Sequence, residues 1–160
     1  MKKMNNKGFS LVELIVVVLI MAIIAVALAP QVMKWVENSR KSTDIENYNA
    51  LVEAANVAST NEAYLKVVAD EVITMGASGS SIGATAGATQ LDAILDETLP
   101  GWDKTKITGA WSGETVDTCT TAGVQGTATF GSSDSFTITI TKSTNGIKVI
   151  RTKAPRKNFS

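Results

Sequence analysis

Few side chains in this 160-residue sequence are equipped for chemistry. Histidine is absent and Cys119 is the only cysteine, which removes the commonest general base, every Cys-His metal site and any disulfide within the chain. Three uses of Cys119 stay open: a bond between chains, a reactive thiol, or a small buried side chain. Asp92, Asp96 and Glu97 in TQLDAILDETLPG have the composition of paired acid-base carboxylates, but around Leu91, Ile94 and Leu95 they read as the solvated face of a short helix. MGASGSSIGATAGATQ, residues 75–90, is glycine-rich but lacks the G-K-[ST] ending that holds phosphates, and reads as a surface loop. The sequence therefore offers no catalytic, cofactor or metal site.

One carboxylate stands in an unusual place. Glu13 lies near the start of KGFSLVELIVVVLIMAIIAVALAP, residues 7–30, which is otherwise apolar enough to sit in lipid and ends on Pro30. Lys2, Lys3 and Lys7 stand in the first eight residues, ahead of the apolar stretch, with no acid among them. Such a flank stays in the cytoplasm, so the chain is expected to insert with its N-terminus inside and everything after Pro30 outside.

The elements that position Glu13 follow from periodicity. Eleven of the twelve glycines lie at or beyond Gly76, and no proline occurs between Pro30 and Pro100, so a helix-permissive first half precedes a second half of loops and strands. The apolar run continues without a turn signal into a segment where Ile45, Tyr48, Leu51, Val52, Ala55, Ala58 and Ser59 keep helical spacing. Arg40, Lys41, Asp44, Glu46 and Glu53 fall mostly elsewhere around that helix. Unbroken from Phe9 to Ser59, it would be about 75 Å long at ~1.5 Å per residue. Ser59 and Glu62 match a capping box, which marks either a break or a restart through EAYLKVVADEVI.

The second half predicts a short helix capped by Thr89 and stopped by Pro100-Gly101. Phe136, Ile138 and Ile140 alternate with threonines, STNG turns the chain and IKVIRTK returns, the pattern of an antiparallel hairpin. Residues 106–111 and 126–130 are candidates for further strands. The expected fold is α+β: a long N-terminal helix whose C-terminal half packs on a small antiparallel head of three to four strands.

Three readings compete for residues 1–33. A cleaved secretory signal is disfavoured because the apolar core is too long and Pro30 obstructs the Ala27-Leu28-Ala29 site. A permanent anchor fits the roughly 20 residues needed to span a bilayer but gains nothing from Glu13. The third reading uses the acid. KGFSLVEL, with a basic leader, Gly8 before an aromatic and Glu13 five places later, resembles the prepilin signal of the type IV pilins and pseudopilins.

That resemblance implies cleavage between Gly8 and Phe9 by a prepilin peptidase and N-methylation of Phe9. It implies a leader over 1–8, a membrane and filament-core helix over 9–33, an amphipathic continuation over 34–75 and a head over 76–160. Glu13 is then a partner for the Phe9 amine, of a neighbouring subunit or of its own helix, with Leu11, Val12 and Leu14 in the assembly stripe. Proline in a helix interior is expected to melt or kink the helix at Pro30, either for filament packing or merely at the membrane boundary. The implied partners are identical subunits in a helical filament, the prepilin peptidase, an assembly ATPase and a platform membrane protein. The subunit would wait in the cytoplasmic membrane and end in a surface filament for adhesion, motility or aggregation.

The single cysteine departs from pilins that close a C-terminal loop with a disulfide. Within the family it points to a major pilin of a Gram-positive lineage or to a pseudopilin of a secretion or DNA-uptake system. Lys142, Lys148, Arg151, Lys153, Arg156 and Lys157 form a basic hairpin and tail that reads as a weak site for nucleic acid or an acidic surface, or as a solvated sheet edge.

Overall fold

The computed structural model describes residues 8–67, 70–83, 85, 87–143 and 146–156. It forms two compact units, one ending at Glu37 and one starting at Asn38. Helix α1, Leu11–Ser59, contributes to both.

In the first unit every residue of α1 through Val36 is exposed, as expected of an apolar segment with no protein around it. In the second, α1 supplies the stripe Tyr48, Leu51, Val52, Ala55 and Ala58, to which Ala54 adds. These join Ile73, Met75, Phe136, Ile138 and Ile140 in one core. Tyr48 fixes the contact at both ends, its ring edge-on to Phe136 at 5.9 Å and its hydroxyl donating to the Thr137 carbonyl at 3.1 Å.

The helix does not continue to residue 75. It closes at Ser59, where the Ser59 and Thr60 hydroxyls donate to the carbonyls of Asn56 and Val57. A short helix α2, Glu62–Val67, then begins on Asn61, whose Oδ1 accepts the Ala63 N–H at 2.9 Å. Asn61, rather than Ser59 and Glu62, is therefore the side chain that opens α2. Further on, Val72, Ile73 and Thr74, three consecutive β-branched residues, lie at the centre of strand β1, Glu71–Met75.

The sheet has six strands rather than three or four. After β1 come β2, Ser80–Ile82; helix α3, Ala88–Thr98; and β3, Thr115–Cys119. Then follow β4, Gln125–Thr129; β5, Phe136–Ser143; and β6, Gly146–Ala154. All neighbours pair antiparallel in the order β2-β1-β5-β6-β3-β4. The expected hairpin is the β5–β6 pair, closed at Ser143 opposite Gly146. Glycine-rich residues 75–90 contain β2, so they are only partly loop. Thr89 lies inside α3; the helix follows Gly87, whose N–H is held at 2.9 Å by the buried Glu71 carboxylate.

Residues 106–111 are not a strand, and Asp44 explains why. This carboxylate is fully buried on α1 and accepts the backbone N–H groups of Thr108 and Gly109 at 2.8 Å, the Thr108 hydroxyl at 2.8 Å and the Trp111 indole N–H at 2.7 Å. Donors that a strand would give to its neighbour go to a side chain instead. Gly109 is required there, since a Cβ would lie 2.8 Å from Lys41 Cγ. Lys41 is itself buried and reaches Glu114 at 2.6 Å. Lys41 and Asp44, expected largely off the packed stripe, lie on it: positions 41, 44, 48, 51 and 55 keep the helical repeat.

Candidate assembly segment

The N-terminal site is built by the first turn of α1. Gly8, Phe9 and Ser10 precede the helix in extended or irregular backbone, and Phe9 is 85% exposed. Ser10 occupies the cap position, its carbonyl accepting the Leu14 N–H at 3.2 Å. The Glu13 carboxylate turns back to accept the Ser10 N–H at 2.9 Å. That is the acidic half of an S-x-x-E capping box, a signal present in FSLVE that the sequence reading passed over in favour of the partner amine. It places a negative group against the positive end of the helix, beside the site of the prospective N-terminal amine.

Leu11, Val12 and Leu14 are all exposed, with Ile15, Val18 and Leu19. Shallow apolar grooves run between Phe9, Val12, Glu13, Val16 and Val17, and between Leu14, Ile15, Val18, Leu19 and Ala22. A second helix laid along them has side chains to interdigitate with. Helix α1 is continuous through Pro30, so the melting expected there is absent from this chain alone. Proline still withdraws one hydrogen bond from the ladder.

The remaining sequence candidates belong to the second unit. Asp92, Asp96 and Glu97 are exposed on α3, with Asp96 accepting the Trp102 indole N–H at 3.1 Å. Cys119 is half-buried at the end of β3, its thiol 3.5 Å from the Thr120 carbonyl. Much of the basic group is engaged: Lys153 with Asp134 at 2.6 Å, Arg156 with Asp117 at 3.6 Å, and Arg151 over the Tyr48 ring. Lys153 and the Gly131 N–H hold the Asp134 carboxyl below its usual range. Lys142 and Lys148 are exposed. The leader residues 1–7 and Lys157 lie outside the described residues.

Fold and segment together define a subunit type: an α+β chain led by a long apolar helix with a single acid in its first turn. Residues 3–29 match the model of the prokaryotic N-terminal methylation motif. The chain is 33% identical over 97 residues to a Clostridium perfringens protein named prepilin peptidase-dependent protein A, covering 60% of this chain and 63% of that relative. It thus spans less than two thirds of the relative's length. No solved structure matches. Both findings support a likeness to the type IV pilins and pseudopilins.

Proposed function

We propose that the protein is a structural subunit of a type IV pilus, matured by a prepilin peptidase at Gly8–Phe9, methylated on Phe9 and polymerised through its N-terminal helix. The observation that carries this reading is the part of α1 from Leu11 to Val36, apolar, exposed throughout and carrying one carboxylate, Glu13, a single turn from Phe9. Loss of the leader takes away Lys2, Lys3 and Lys7, leaving twelve basic against fifteen acidic side chains. It also creates an amine on Phe9. An isolated carboxylate and an isolated ammonium are each costly in an apolar filament core, whereas together they offset much of that cost. Pairing across subunits selects axial register, because only one stagger brings the two groups together.

Contacts between apolar helices gain little in lipid, which suits a subunit that is withdrawn from the membrane and returned to it. A cytoplasmic ATPase and a platform protein would supply the work. The pseudopilin reading uses the same segment and differs in outcome.

Two measurements test the proposal. Mass spectrometry of the mature protein should find methyl-Phe9 as the first residue; retention of Met1 refutes maturation. Deleting the gene should remove long surface fibres, whereas failed secretion or DNA uptake with no fibre phenotype favours the pseudopilin.

A further inference from the structure

The charge-free part of the apolar helix has a definite length. Between Glu13 and Lys34 no residue carries a formal charge, and Leu14–Met33 amounts to twenty residues. As α-helix that is about 30 Å, matching the roughly 30 Å hydrocarbon core of a bilayer. Glu13 and Lys34 thus stand at its two edges.

At the outer edge lies a residue of unusual exposure. Trp102 and Trp111 are buried in the second unit at 3% each, while Trp35 is 67% exposed beside the exposed Lys34. Indole is the side chain that gains most from a membrane interface, with an apolar body and one N–H for the wet side. A lysine stem can lie along acyl chains while its ammonium reaches the headgroups. Beyond Val36 the chain turns polar or charged, with Glu37, Asn38, Ser39 and Arg40.

We infer that Lys34 and Trp35 form an anchor in the outer lipid-headgroup layer, and that with Glu13 at the inner layer they fix the depth of the subunit before assembly. This rests on the membrane-stored state proposed above. It places Glu13 at the cytoplasmic edge, where an acid costs far less than at the bilayer centre. The Gly8–Phe9 bond then lies just below that edge, within reach of a protease at the membrane surface. The acid enters an apolar setting only when the subunit is lifted out.

The test uses the full chain in phosphatidylcholine–phosphatidylglycerol vesicles and takes the emission difference between the native protein and W35F, which isolates Trp35 from the two buried indoles. The expected difference spectrum is blue-shifted from that of indole in water, and lipids brominated near the headgroup end of the acyl chain quench it several-fold more than lipids brominated near the methyl end. Strongest quenching by the deep bromines, or full access to aqueous iodide, overturns the depth assignment while leaving the membrane state intact. A chain that stays out of the vesicles overturns both.

Discussion

Asp44 shows how much a single buried side chain decides in this protein. Its two oxygens accept four hydrogen bonds from Thr108, Gly109 and Trp111. Replacing Asp44 with alanine removes the shared acceptor of one buried donor, the Trp111 N–H, and three part-buried ones, and is expected to destabilise the second unit by about 3 kcal/mol. Denaturant midpoints of the detergent-solubilised chain measure this, and an unchanged midpoint contradicts it. Tyr48 and Tyr64 give a second expectation. Burial raises both phenols well above their ordinary value, opposed at Tyr48 by Arg151 and reinforced at Tyr64 by Glu71. Below about pH 10 both remain protonated whether folded or not, so nothing is lost. Above it the unfolded chain ionises first, and stability should fall by up to about 1.4 kcal/mol per pH unit for each tyrosine. A flat stability profile from pH 10 to 12 would count against their burial. Glu13 makes a third case. With alanine there, the Phe9 terminus should still appear by mass spectrometry, but sheared fibres should drop on the order of tenfold or more, as expected for loss of about 1.4 kcal/mol or more per contact. Normal fibre yield would remove the register role.

Elements differ in how far the sequence revealed them. Helix α1 was legible because its two halves carry unmistakable patterns, an apolar run and then a stripe ending in Val52, Ala55 and Ala58. The β5–β6 hairpin was legible from strict alternation about a turn. What escaped were elements fixed by distant partners. Strand β1 gains its identity by lying against β5, with Ile73 opposite Ile138, and its apolar residues alone fit a helix as well. Residues 106–111 look like a strand until their donors are traced to Asp44 on α1. In the N-terminal segment the glycine, the aromatic and the acid were all readable, and the Ser10–Glu13 contact had a signal too, the S-x-x-E spacing, which the apolar run around it obscures. Pro30 supplies a prediction at this scale. Since proline costs about 3 kcal/mol relative to alanine in a helix interior, P30A should slow amide exchange over the turns around it in micelles. Unchanged exchange would mean that Pro30 does not weaken α1.

For the whole molecule, the sheet order has a consequence in time. β5 and β6 occupy the middle of the sheet, yet they are the last two strands in the chain, while β2 and β4 at the edges come earlier. β1 has no other central neighbour than β5, and β3 joins the rest only through β6. As the ribosome delivers the chain, strands β1 to β4 emerge as two separate antiparallel pairs that cannot meet. The head becomes one sheet only when the final hairpin arrives and wedges between them, so a chain halted before Phe136 has a membrane helix but no means of completing its head.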